Sequence, residues 1–85
     1  MATAFGRTLR RLRKASGLTQ EGLGFEADVQ RTYVSILELG QQVPSLATLF
    51  KLSNALHLPA SEFVRMVETE FDLIDAGARE LRNRS

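Results

Sequence analysis

Thr19-Gln20-Glu21-Gly22-Leu23-Gly24-Phe25-Glu26-Ala27-Asp28-Val29-Gln30-Arg31-Thr32-Tyr33-Val34-Ser35-Ile36-Leu37-Glu38 is the stretch on which the reading of this chain turns. It divides into two short segments of helical period. Leu23 and Ala27 share a face of the first at i, i+4, and Val34 and Leu37 share a face of the second at i, i+3. Thr19 predicts an N-cap for a helix over Gln20 to Ala27. A capping box would need Glu or Gln at position 22, where Gly22 stands, so the cap is a plain one. Asp28 and Val29 make the turn. A further helix is predicted from about Gln30 to Leu39, stopped by Gly40.

The same period continues outward in both directions. Upstream, Phe5, Leu9 and Leu12 form one apolar stripe of a helix from about Ala4 to Ser16, with Gly17 as its C-cap. Downstream, Ser45 after Pro44 starts a helix from Leu46 to about Leu56, with Leu46, Leu49, Phe50, Leu52 and Leu56 on a broad apolar face. Pro59 or Ser61 opens a fifth helix through Phe63, Val64 and Val67 that reaches past Phe71. Strand-like alternation is absent and β-branched residues do not cluster, so the chain reads as all-α with five helices. We divide it into a domain over 1–74 and a helix-compatible tail over 75–85, where Gly77 and polar residues favour fraying.

Bulk properties narrow the function classes. A chain of 85 residues buries about 60–65% of its unfolded surface and has room for one domain. Cysteine is absent, which removes disulfides, thiolate metal sites and thiol nucleophiles. The single histidine, His57, sits near a helix end in apolar surroundings. There it suits the helix dipole better than catalysis. No Gly-rich phosphate loop, carboxylate–histidine cluster or metal-ligand spacing is present, so we expect no enzyme, no cofactor and no metal. No segment approaches the ~18 apolar residues of a membrane span. The basic N-terminal region lacks the apolar run of a secretory signal, and a cytoplasmic location is expected. Net charge is only +1, but it is unevenly spread. Residues 1–20 hold Arg7, Arg10, Arg11, Arg13 and Lys14 and no acid. Residues 62–75 hold Glu62, Glu68, Glu70, Asp72 and Asp75 against Arg65 alone. One end of the molecule is therefore suited to phosphates, although solvated helix faces carry similar charge.

The quoted stretch resembles the Cro/C1-type, or Xre-like, helix-turn-helix regulators. So do its flanks, Leu9-Arg10-Arg11-Leu12-Arg13-Lys14 with Gly17-Leu18-Thr19-Gln20 before it, and Pro44-Ser45-Leu46-Ala47-Thr48-Leu49 after it. The string Arg31-Thr32-Tyr33-Val34-Ser35 and the short length are similar to the controller proteins of restriction–modification systems. Phage repressors and antitoxins carry similar strings. The resemblance implies a compact five-helix, lambda-repressor-like DNA-binding domain, with a short C-terminal helical extension. Two departures stand out. The family turn usually has Gly where Asp28 stands, and Asp accepts the left-handed conformation at modest cost. The second helix carries both Gly22 and Gly24, each costing about 0.8–1 kcal/mol against Ala. Gly24 fits the closest crossing of the second and third helices.

In such a fold the N-terminal part of the third helix enters the major groove. Arg31 is the candidate for bidentate contact with guanine O6 and N7; its alternative is an ion pair with Glu26 or Asp28. Gln30, Thr32 and Ser35 can hydrogen-bond base edges, and an exposed Ile36 suits a thymine methyl, or is simply a surface apolar residue. Backbone contacts are expected from Gln20, as the resemblance implies, and from Tyr33, Gln41, Gln42, Ser45 and Thr48. Ser45 is also an ordinary N-cap. Leu39 stands where the family commonly has a polar or basic residue. The resemblance further implies that Arg13 and Glu38 form a structural ion pair, leaving Arg10, Arg11 and Lys14 as the exposed cations.

Apolar residues are in surplus late in the chain: Phe63, Val64, Met66, Val67, Phe71, Leu73 and Ile74. One short helix cannot bury them all, and one recognition helix reads only a few base pairs. We therefore expect a homodimer on double-stranded DNA of pseudo-palindromic sequence, with Met66, Val67, Phe71 and Ile74 at its interface. The alternative is a tail folded over its own core. The rival function is an antitoxin-type module whose late apolar residues bind a toxin-like protein partner while the helix-turn-helix binds the module's own promoter.

Overall fold

The computed structural model describes residues 1–83. Five helices follow one another: α1 (Ala2–Ala15), α2 (Gln20–Ala27), α3 (Arg31–Glu38), α4 (Leu46–Ala55) and α5 (Ala60–Asn83). The described residues contain no strand, and none of these helices is long and apolar enough to cross a membrane.

Each of the first four helices ends in the same way. A residue with positive φ follows the last turn: Gly17, Asp28, Gly40 and His57, with φ of 73°, 56°, 73° and 59°. The next residue's N–H then bonds back five residues, as in Leu18 to Arg13, Val29 to Gly24, Gln41 to Ile36 and Leu58 to Ser53. These are Schellman closures, and they satisfy carbonyls that a helix end leaves unpaired. Asp28 takes the left-handed conformation expected of it. His57 does the same in place of the usual Gly or Asn. The starts of α2 and α4 are capped by side chains, with Thr19 Oγ1 accepting from Gly22 N at 2.9 Å and Ser45 Oγ from Thr48 N at 3.2 Å.

The apolar stripes meet in one core. Leu9, Leu23, Val34, Leu37, Leu52 and Phe63 are fully buried, and the rings of Phe5 and Phe63 stack at 5.1 Å between centroids. Thr8 is buried among them, its hydroxyl donating to the Ala4 carbonyl at 2.9 Å. Two glycines set how closely helices cross. A Cβ on Gly24 would lie 2.7 Å from the Val29 carbonyl oxygen, so the α2–α3 turn packs directly on the α2 backbone. A Cβ on Gly6 would lie 2.5 Å from the Leu37 oxygen and 2.7 Å from the Glu38 oxygen, where α1 crosses the end of α3. Both obstacles at Gly6 are backbone atoms and cannot swing aside. We expect Gly6→Ala to destabilise the fold by about 1–3 kcal/mol despite its better helix propensity. A thermal melt checks this, and an unchanged or raised midpoint would contradict so tight a crossing.

Helix α5 is the exception to short elements. Phe63, Val67, Glu70 and Ile74 face inward at i, i+4, i+7 and i+11. The helix then runs on, unbroken by Gly77, to Asn83, through the part of the expected tail that lies within the described residues. Its 24 residues span about 36 Å at 1.5 Å each, which makes the molecule 46 Å long and 24 Å across.

Candidate nucleic-acid interface

Helix α3 divides cleanly by burial. Val34 and Leu37 are buried in the core and Tyr33 is half-buried against it. Arg31, Ser35, Leu39, Thr32 and Ile36 fall on an arc of about 140° on the other side, at 100° per residue. Arg31, Thr32 and Leu39 are exposed, whereas Ser35 and Ile36 are half-buried. Gln30 precedes the helix in extended conformation and is exposed; it makes no side-chain cap bond, so the leading N–H groups of α3 are not closed off by a cap. Among the described residues Arg31 forms no ion pair, which sets aside the pairing with Glu26 or Asp28 as its alternative role.

The other expected contacts divide into free and engaged groups. Gln41 and Gln42 are exposed in the α3–α4 connection. Ser45 caps α4 and its hydroxyl donates to Thr48 Oγ1 at 3.1 Å. Thr48 is half-buried. Gln20 opens α2 and is tied down, its Nε2 donating to Glu38 Oε1 at 3.2 Å. A primary amide carries a second N–H, which remains available for an anion.

Glu38 is the hub beneath this surface. Arg13 Nε donates to its Oε2 at 2.6 Å and Arg13 Nη2 to its Oε1 at 3.0 Å, a bidentate fork. Arg13 Nη1 also donates to the Leu18 carbonyl at 2.9 Å. The side chains are 11% and 4% exposed. The hydrogen bonds that Arg13 donates to Glu38 raise its guanidinium pKa above the ordinary value, outweighing the opposing effect of burial. The arginine half of the pair is therefore charged at any pH where the protein folds. One ion pair thus joins α1, α3 and the α1–α2 turn, and holds Gln20 at the start of α2.

A second carboxylate is buried against α1. Glu70 of α5 is buried, with Arg11 Nη2 at 3.3 Å and Arg7 Nη1 at 3.6 Å. Arg11 is consequently not a free cation like Arg10 and Lys14, for which no ion pair appears among the described residues. The signal lay in the sequence. Glu70 occupies the inward stripe of α5 seven residues after Phe63, where an apolar residue belongs, and α1 supplies the arginines.

The expected interface residues on α5 differ in burial. Val67 is buried, Met66 and Ile74 are half-buried, with Ile74 packed on the core, and Phe71 is 37% exposed. Beside Phe71 and Val64 runs an open groove of about 490 Å³, floored by Val67 and Leu49 and walled by Val43 and Leu46. Val43, Leu46 and Val64 are exposed there. Leu46 was expected on the apolar face of its helix and Val64 in the late apolar surplus, while Val43 carried no such signal.

Comparison with known proteins agrees with this geometry. The HTH_3 family, described as helix-turn-helix, matches residues 9–63, more than half of the chain, and the chain belongs to it. It is a Cro/C1-type helix-turn-helix DNA-binding regulator, a class that binds double-stranded DNA and is not enzymatic. Control protein C.MunI of Mycoplasma sp is 39% identical over 67 residues, covering 78% of this chain and 90% of that one. The crystal structure of the restriction–modification controller protein C.AhdI from Aeromonas hydrophila superposes with a TM-score of 0.71 at 42% identity, over 73% of this chain and 94% of that one. The clp gene regulator ClgR from Corynebacterium glutamicum gives 0.88 at 26% identity, over 95% and 86%.

Proposed function

We propose that the protein regulates transcription by binding a pseudo-palindromic operator as a cytoplasmic homodimer, each α3 entering the major groove of one half-site. The observation that carries this reading is Arg31: exposed, unpaired, first in α3, with Thr32, Ser35 and Ile36 on the same outward arc. A guanidinium so placed can reach guanine O6 and N7. Gln30 adds a base contact, and Gln20, Tyr33, Gln41, Gln42, Ser45 and Thr48 contact the backbone around it. Two copies are needed because eight residues of helix read only a few base pairs, and a two-fold protein matches a two-fold site. The apolar groove beside Val64 and Phe71, with Met66, Val67 and Ile74 along the same helix, supplies the surface for the second copy. The relatives named as controller proteins of restriction–modification systems favour the same role here.

The test is retention from a randomised DNA pool at several salt concentrations, with sedimentation of the free protein alongside. The expected result is a palindrome with half-sites about one helical turn apart and a dimer at micromolar concentration. Binding that is sequence-blind and strongly salt-labile is the signature of phosphate attraction alone. With a monomer in solution as well, it would put the antitoxin-type module ahead, with a toxin-like protein covering the groove.

A further inference from the structure

Helix α5 begins without a side-chain cap. The residue before it is Pro59, which has no side-chain acceptor. The Pro59 carbonyl accepts from the N–H groups of Glu62 and Phe63 at 3.0 and 3.1 Å. The N–H groups of Ala60 and Ser61, at the first two positions of the helix, have no carbonyl one turn back within it. No other group among the described residues accepts from them. The 24 residues of α5 align their peptide dipoles so that this end carries partial positive charge.

A buried hydroxyl lies at the same place. Ser53 is 1% exposed, and its Oγ has no hydrogen-bond partner among the described residues. An unpaired hydroxyl in the interior is costly. Ser53 and Ser61 line one open recess of about 770 Å³, between the last turns of α4 and the start of α5. The rest of the lining describes what fits. Phe50, 58% exposed, gives the recess an apolar wall together with Leu58. Lys51 also lines it and forms no ion pair among the described residues. No acid lines it, and Glu62 nearby is held by Arg65. Carbonyls at the end of α4, which would repel an anion, are engaged: Ser53 O accepts from Leu58 N and Asn54 O from His57 N, both at 3.1 Å. A mostly apolar recess with a few convergent polar groups is the usual form of a small-molecule site.

We propose that this recess binds a small organic acid. Its carboxylate sits on the N–H groups of Ala60 and Ser61 with Lys51 beside it. The Ser53 hydroxyl donates to the ligand, and the ligand's apolar body lies against Phe50 and Leu58. The recess shares no residue with the outward arc of α3 or with the groove beside Phe71, so the proposal stands independently of the DNA reading.

Phenylacetate is the probe, with benzyl alcohol and inorganic phosphate as controls that keep only its apolar body or only a negative charge. In a nuclear magnetic resonance titration of the isotope-labelled chain, phenylacetate should give saturable shifts of the Ala60 and Ser61 amide signals, and both controls should bind more weakly. Ser53→Ala and Lys51→Ala should each weaken phenylacetate by about fivefold, the worth of one polar contact, with the rest of the spectrum unchanged. Shifts that do not saturate, or an affinity unaltered in either variant, would overturn the site. Phosphate binding as tightly as phenylacetate would overturn the organic acid as occupant, and benzyl alcohol binding as tightly would overturn the carboxylate.

Discussion

Replacing Glu38 with Ala should destabilise the domain by about 3–5 kcal/mol, because it strands the Arg13 guanidinium in a site where it is 11% exposed. For a domain of this size each kcal/mol moves the midpoint by about 4–8 °C. Glu38→Ala is therefore expected to melt tens of degrees lower or to be unfolded at room temperature. Arg13→Ala should cost a similar amount by leaving the carboxylate without its fork. The double variant Arg13→Met with Glu38→Leu separates the cost of stranding a charge from the worth of the pair. Removing both charges together is often neutral for a buried pair, so the double variant should recover most of the loss. Chemical denaturation of the wild type, Arg13→Met, Glu38→Leu and the double variant closes the cycle. A Glu38→Ala loss under about 1 kcal/mol would mean the pair behaves as a surface ion pair. Gln20 adds a second readout, since its amide is held by Glu38 Oε1. Glu38→Gln, which keeps the shape and an acceptor oxygen, should retain more DNA affinity than Glu38→Ala at a temperature where both are folded.

Local chemistry made most of the fold legible. Thr19 and Ser45 announced their helices as N-caps, and Gly17 and Gly40 their ends, because capping is decided by a few adjacent residues. The left-handed Asp28 and the close approach at Gly24 were readable for the same reason. His57 was legible as a helix end but not as a left-handed residue, since nothing in its type demands that conformation. The crossing at Gly6 was not legible, because it depends on how α1 lies over α3, 31 residues away in sequence. Long-range charge pairs fared likewise. Arg13 and Glu38 were matched through family resemblance, and helical spacing says nothing of residues 25 apart. Glu70 sits in an acid-rich stretch that reads as a solvated face; its period places it on the inward stripe, but its arginine partners follow only when α5 is laid against α1. At the interface the outward arc of α3 followed from period alone. The engagement of Gln20 by Glu38, and the half-burial of Ser35 and Ile36, needed the packed structure.

Replacing Arg31 with Ala should weaken operator binding by about 1–3 kcal/mol for each half-site, the worth of a bidentate arginine–guanine contact. In a homodimer both half-sites carry the change, so the loss roughly doubles, about 30-fold at the low end and 10⁴-fold at the high end. Magnitude alone does not identify the contact, since a lost phosphate contact also weakens binding. Selectivity does. A base-reading Arg31 predicts relaxed preference at one base pair in each half-site, related by the operator's two-fold axis, with preferences elsewhere intact. A phosphate-bound Arg31 predicts uniform weakening on every sequence and a salt slope lower by about one for each arginine removed. Arg31→Lys sharpens the distinction, because lysine keeps the charge and loses the planar fork. On a base it should behave nearly as Ala does, and on a phosphate nearly as wild type. The position of Arg31 favours the first outcome. It stands at the exposed start of α3 with no ion pair among the described residues, while the backbone contacts are those proposed for Gln20, Gln41, Gln42 and the α4 cap. Selection of DNA from a randomised pool by the three proteins at two salt concentrations would decide it.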